Sequence, residues 1–134
     1  MRLDNEIKLD YKDVLLKPKR STLSSRRDVE MTRSFTFRNS GETYECCPII
    51  ASNMDGVGEI DVAKKLSSHK LMTALTKQHD INQIGTIYKK NIFFDSIALS
   101  CGTSIDSYNR LNSILKKYPK FKFICIDVAN GYSE

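Results

Sequence analysis

The stretch KFICIDVANGY, residues 122–132, carries the strongest indication of the fold of this chain. Its first half, up to Ile126, is apolar with little alternation, which predicts a strand buried on both faces, as in a parallel sheet. Its second half places Asp127, an amide and a glycine directly after that strand. Because α/β proteins collect their chemistry at the carboxyl ends of parallel strands, this stretch also indicates where a functional site would lie.

The same layout recurs three times earlier in the chain. Apolar runs at 48–52, 71–75 and 95–100 predict three further strands, and each ends in polar or small residues. Between them, apolar residues recur at helical spacing, with Asp80 and Asp106 as expected caps of the second and third helices. The pattern β-α-β-α-β-α-β fits an open doubly wound sheet or the first half of a (β/α)₈ barrel, which needs about 250 residues in full.

The segment before the first of these strands has a different pattern. Residues 1–46 form a predicted β-rich N-terminal extension, in which alternating residues flank a turn at 39–41. Residues 47–134 form the predicted set of strand-helix units, which the sequence leaves unfinished after the fourth strand.

Composition indicates a globular protein: 40% of its 134 residues are hydrophobic, 28% are charged, and the net charge is +5. No apolar run approaches the roughly 20 residues that cross a bilayer, and the first residues lack a signal-peptide core. No aromatic residues interleave with the basic run at 17–20, which disfavours nucleic-acid binding. These features predict a cytoplasmic protein without membrane or nucleic-acid partners.

The cysteines and histidines show no metal-ligand spacing, so no metal site is predicted. Cys101 follows the third strand and could be a nucleophile, but no neighbour in sequence favours its thiolate, so a buried apolar role is favoured. His69 and His79 are expected to have surface or helix-capping roles.

Two charged residues follow predicted strands and are the candidate site. Asp127 could act as a general base, accept a hydrogen bond from a ligand, or cap a helix. Lys77 could donate to a phosphate, a ribose or a leaving group, or form a salt bridge with Asp127. The segment 56–58, Gly-Val-Gly, has part of a dinucleotide-binding fingerprint, but Asp61 replaces its third glycine, which favours a tight strand-to-helix turn.

Several stretches together resemble one family. They are LDYKDVLLKPKRSTL at 9–23, FTFRNS at 35–40, PIIASNMD at 48–55 and FICIDVANGYSE at 123–134. They resemble the GMP reductase branch of the inosine monophosphate dehydrogenase and GMP reductase family. The dehydrogenase branch carries an inserted regulatory module after the second strand-helix unit, and residues 81–95 leave no room for it.

The resemblance implies a (β/α)₈ barrel in a homotetramer, with this chain as its N-terminal half. It implies NADPH-dependent reductive deamination of GMP to IMP and ammonia in purine salvage. Ser52 and Met54 match positions that lie against the nucleotide in the dehydrogenase branch, and Lys77 and Asp127 would assist catalysis. The cofactor-binding positions implied are Ser25 and Arg26, which reach the NADPH of a neighbouring subunit, and Lys77, Asp127, Val128 and Ala129.

The family's catalytic cysteine lies in a loop after the sixth strand, which this sequence does not contain. Cys101 and Cys125 follow or lie in other strands and cannot replace it. The sequence therefore predicts that residues 1–134 alone have no activity. Thr76 and Gln78 also stand where the family commonly has histidines beside Lys77. The alternative is a non-enzymatic open α/β module that binds a ligand or a partner.

Overall fold

The computed structural model describes residues 3–89 and 94–132. The chain divides into two compact units, Met1–Glu30 and Met31–Glu134. Within the first unit, short 3-10 helices span Tyr11–Asp13 and Arg26–Asp28, and each is closed by a capping box. These boxes satisfy the backbone N–H groups that a short helix leaves unpaired.

The second unit begins with an antiparallel hairpin. Strand β1 spans Arg33–Thr36 and strand β2 spans Thr43–Cys46, with Phe35 opposite Tyr44. Gly41 lies in the turn with a φ of 71°, a left-handed conformation that glycine adopts without steric cost. The turn predicted at residues 39–41 is therefore present.

In the part of the chain that the structure describes, four parallel strands and three α-helices follow, which confirms the α/β prediction. The sheet has the order β3-β4-β5-β6, so neighbours in sequence are neighbours in space. Closure into a barrel is implied by the family resemblance alone. The strands are β3 (Ile50–Ala51), β4 (Met72–Leu75), β5 (Ile97–Cys101) and β6 (Phe123–Ile126), and the helices are α1 (Ile60–Ser67), α2 (Ile81–Lys89) and α3 (Ile105–Lys117).

The sequence predicted an aspartate cap at the N-terminus of α2 and another at that of α3. Asp80 accepts from the backbone N–H groups of Asn82 and Gln83 at 2.7 and 2.8 Å, so the predicted cap of α2 is confirmed. The predicted cap of α3 is wrong. Ser104, and not Asp106, occupies the N-cap and accepts from the N–H of Ser107, because a serine hydroxyl in extended backbone reaches that group.

The two central strands alternate between two cores. One face of the sheet packs against the helices, and Leu75, Ile84 and Ile97 are almost completely buried there. The other face carries the smaller cluster Met72, Ala74 and Ala98. Every residue of β4 and β5 is buried, as expected for strands covered on both faces.

Strand β6 differs from the prediction. The sequence suggested burial on both faces, but Ile124 and Ile126 are 49% and 66% exposed. The reason is topological, because each described helix lies between two strands and β6 ends the described sheet. Among the described residues, no helix has the length and apolar character that crossing a membrane requires.

Candidate functional site

The candidate site lies at the carboxyl ends of the parallel strands. Lys77 follows β4, Asp127 follows β6, and the Lys77 Nζ lies 3.2 Å from Asp127 Oδ2. The two side chains are 57% and 36% exposed, so both are accessible from solvent. The pairing considered from the sequence is therefore present, and it leaves donors and acceptors within reach of a ligand.

The Asp127 carboxylate is held by more than one neighbour. The hydrogen bond from Lys77 lowers the pKa of Asp127 below its ordinary value, and a hydrogen bond from the Asn53 side chain lowers it further. The Asp127 N–H also donates to the Cys101 carbonyl at 2.8 Å, which extends the β5–β6 ladder by one residue. The Asp127 carboxylate is therefore ionised, and a hydrogen bond to β5 holds the Asp127 main chain in place.

Asn53 is the site residue that the sequence reasoning missed. It is the second residue after β3, as Lys77 is the second residue after β4, and this shared strand-end position is the signal that could have found it. Asn53, Lys77 and Asp127, here called the strand-end cluster, follow three of the four parallel strands that the structure describes.

The turn that carries Lys77 is anchored to the loop after β3. The Gly58 carbonyl accepts from the Thr76 N–H at 2.9 Å, and the Gly58 N–H donates to the Met54 carbonyl at 2.7 Å. A Cβ at Gly58 would lie 2.6 Å from the Ala74 carbonyl oxygen and 3.0 Å from the Asn53 Cα. Only glycine lets the backbones approach so closely, which supports the tight-turn interpretation of residues 56–58.

The other positions taken from the resemblance fall in two places. Ser52 and Met54 flank Asn53 and are exposed. Val128 and Ala129 directly follow Asp127 and are also exposed. These four residues therefore share the carboxyl end of the sheet with the strand-end cluster.

Ser25 and Arg26 lie in the first unit. Ser25 is the N-cap of the second 3-10 helix and accepts from the Arg27 N–H at 3.2 Å. Arg26 begins that helix and is exposed. Their cofactor role remains a prediction.

Two expectations for cysteine and histidine have different outcomes. Cys101 is 7% exposed and belongs to the helix-side core, as the apolar interpretation expected. The surface or capping role expected for His79 is wrong, because its imidazole is buried and bonds to the loop after β3. His69 is exposed.

Fold and site together define an α/β protein segment with a polar cluster at its strand ends. No protein-family model matches the sequence. The chain is 50% identical to human GMP reductase 2 over 133 residues, which are 98% of this chain and 38% of that protein. It is 46% identical to the GMP reductase of Caenorhabditis elegans over 135 residues, 99% of this chain and 38% of that protein. The GMP reductase of Shewanella pealeana is 44% identical over 136 residues, 100% of this chain and 39% of that protein.

The chain therefore matches the N-terminal part of GMP reductase. It spans 38 to 39% of the length of these relatives. The names of the relatives agree with the enzyme interpretation and give no support to a non-enzymatic binding module.

Proposed function

We propose that this chain forms the N-terminal part of a cytoplasmic, homotetrameric GMP reductase. The reaction is GMP + NADPH + 2 H⁺ → IMP + NADP⁺ + NH₄⁺. In this proposal residues 47–134 supply the first strand-helix units of a (β/α)₈ barrel, and residues 1–46 are an extension of it. The observation that carries the proposal is the 3.2 Å pair of Lys77 and Asp127 at the strand ends of a chain that matches GMP reductases.

The strand-end cluster has the donors and acceptors that the nicotinamide end of NADPH requires. A carboxamide offers an NH₂ donor and a carbonyl acceptor. An ionised Asp127 accepts from an NH₂ group, and the Lys77 ammonium donates to a carbonyl or ribose oxygen. Both side chains are exposed enough to exchange part of their mutual pairing for ligand contacts.

When bound, NADPH supplies the hydride, and the protein supplies binding and orientation. We assign Lys77, Asp127, Val128 and Ala129 to holding the nicotinamide, with Asn53 restraining the carboxylate. Asp127 stays ionised near neutral pH, since its neighbours lower its pKa, so it orients a donor and does not itself deliver a proton.

The remaining assignments follow the resemblance. Ser52 and Met54 flank Asn53, so they could contact the purine nucleotide beside the cofactor. Ser25 and Arg26 are assigned to the NADPH of a neighbouring subunit in the tetramer. The exposed guanidinium of Arg26 suits a phosphate, which arginine binds through paired hydrogen bonds.

The test is steady-state kinetics of the full-length protein with Lys77→Met and Asp127→Asn. A hydrogen bond to a charged group contributes about 1.5–3 kcal/mol, so the KM for NADPH should rise roughly 10- to 100-fold. The KM for GMP should change by less than about threefold, because these residues are assigned to the cofactor.

A second ion pair in the same sheet is the matched control. Lys122 and Asp95 lie 3.5 Å apart at the opposite ends of the strands, and both are exposed. Lys122→Met and Asp95→Asn should leave both KM values unchanged. Equal effects from the two pairs, or a loss confined to GMP, would contradict the proposal.

A further inference from the structure

The buried imidazole of His79 has no part in the binding proposed above. Its Nε2 lies 3.2 Å from the Gly58 carbonyl oxygen and 3.3 Å from Glu59 Oε2. Both neighbours are acceptors, so Nε2 carries the hydrogen and shares it between them. The residue therefore connects the loop after β4 to the loop after β3.

The Gly58 carbonyl accepts hydrogen bonds from both ends of the turn that bears Lys77. The Thr76 N–H donates to it at 2.9 Å, and His79 Nε2 donates to it at 3.2 Å. Lys77 and Gln78 lie between these two anchors and are exposed. A single buried oxygen thus sets the path of the backbone from which the Lys77 side chain extends.

His79 is itself held from two sides. Glu59 occupies the N-cap position of α1 but makes no capping bond to its own helix, and its carboxylate instead faces the imidazole. On the other side, Arg110 of α3 donates to the backbone carbonyl of His79. These contacts restrain both the ring and the main chain, so the anchor is firmer than one hydrogen bond would provide.

We propose that His79 is a positioning residue that holds the Lys77 turn against Gly58 and so keeps Lys77 paired with Asp127. The consequence for NADPH rests on the function proposed above, whereas the consequence for the pair itself does not. His79 touches neither reacting atoms nor cofactor in this assignment, and it acts through Lys77.

The test is sparing acetylation of lysines in the full-length protein, quantified by mass spectrometry at Lys77 relative to Lys65, an exposed lysine of α1. An ammonium held against a carboxylate is less available to react. Asp127→Asn should raise Lys77 labelling by about two- to fivefold, the factor expected for a surface pair of modest strength. His79→Leu should give a similar rise, and His79→Gln, whose amide N–H can reach the same oxygen, should stay near the wild-type value.

A variant that keeps the buried ring guards against misfolding. Circular dichroism shows whether His79→Leu folds. If it does not, Glu59→Gln decides, because a neutral amide oxygen is a weaker acceptor for the imidazole N–H than the carboxylate, and it should give a smaller rise. Wild-type labelling in a folded His79→Leu protein, or in Glu59→Gln where that variant decides, would overturn the proposal. The same would follow if His79→Gln behaved like His79→Leu.

Kinetics separate this inference from the proposed function. His79→Leu should raise the KM for NADPH and leave the KM for GMP unchanged. His79→Gln should return the KM for NADPH to near the wild-type value. If the labelling pattern holds and the KM for NADPH does not move in any variant, the positioning role stands and the cofactor assignment fails.

Discussion

The two ends of the parallel sheet are built by different means. At the amino ends, the hairpin packs through aromatic side chains, with Tyr44 and Phe37 at centroid distances of 4.9 and 5.5 Å from Phe123. A cleft of about 1000 Å³ lies between the hairpin and this end of the sheet. At the carboxyl ends, backbone hydrogen bonds and a glycine join the loops, and charged side chains extend from them.

The two ends differ in how firmly they can hold a reacting group in place. The tilted aromatic contacts bury apolar surface without a hydrogen bond that sets a direction, and the cleft leaves part of this end unfilled. Hydrogen bonds to one backbone carbonyl fix directions, as the bonds from the Thr76 N–H and the His79 side chain to Gly58 do for the turn that bears Lys77. Substitutions at the carboxyl end should therefore lower the unfolding free energy more than substitutions at the amino end.

The largest expected effect is that of Gly58→Ala. The new Cβ would lie 2.6 Å from the Ala74 carbonyl oxygen, a backbone atom that cannot rotate away. The loop after β3 must move, and overpacking of this kind costs roughly 1–3 kcal/mol of unfolding free energy. Urea unfolding followed by circular dichroism measures the loss.

Gly102→Ala is the matched control for that substitution. It also follows a strand, but its Cβ would meet only side-chain atoms of Ser107, the Oγ at 3.3 Å and the Cβ at 3.9 Å, and the Oγ can rotate. Its unfolding free energy should change by less than half as much. If the two alanine variants were equally stable, the carboxyl-end loops would be looser than the geometry indicates.

The sequence could predict the parallel α/β sheet and two of the three residues of the strand-end cluster. Strand and helix periodicity gave the parallel sheet, and strand-end placement identified Lys77 and Asp127. Both the exposure of Ile126 and the burial of His79 were missed, because burial depends on which elements cover a strand or a loop. Residue type alone does not reveal that the His79 ring bonds to a carbonyl 21 positions earlier.

The stability that the Lys77–Asp127 pair contributes should depend on pH. The pKa of Asp127 is lowered in the folded state, so its pairing stabilises the fold above the unfolded-state pKa and this contribution is lost as the pH falls through the folded-state pKa. Lys77→Met should lower the urea midpoint near neutral pH, and the difference from the wild type should vanish in acid. The effect should be smaller than that of Gly58→Ala, since both side chains are partly exposed.

Lys65→Met provides the control for net charge. It removes the same charge from an exposed position on α1, away from the strand ends. The difference in urea midpoint between Lys65→Met and the wild type should not follow the titration of Asp127. A parallel pH dependence in both variants would mean that net charge, and not the Lys77 pair, causes the effect.

The smallest expected effect belongs to the amino end. Lys70 Nζ lies 3.3 Å from Glu45 Oε1, with side chains 60% and 65% exposed, so solvent screens the pair. Glu45→Gln should change the unfolding free energy by less than about 0.5 kcal/mol, and added salt should reduce even that difference. The hairpin would still be held by the contacts of Tyr44 with Phe123. A loss as large as that of Gly58→Ala would show that charge pairing, and not ring packing, holds this end of the sheet, and the contrast between the two ends would then fail.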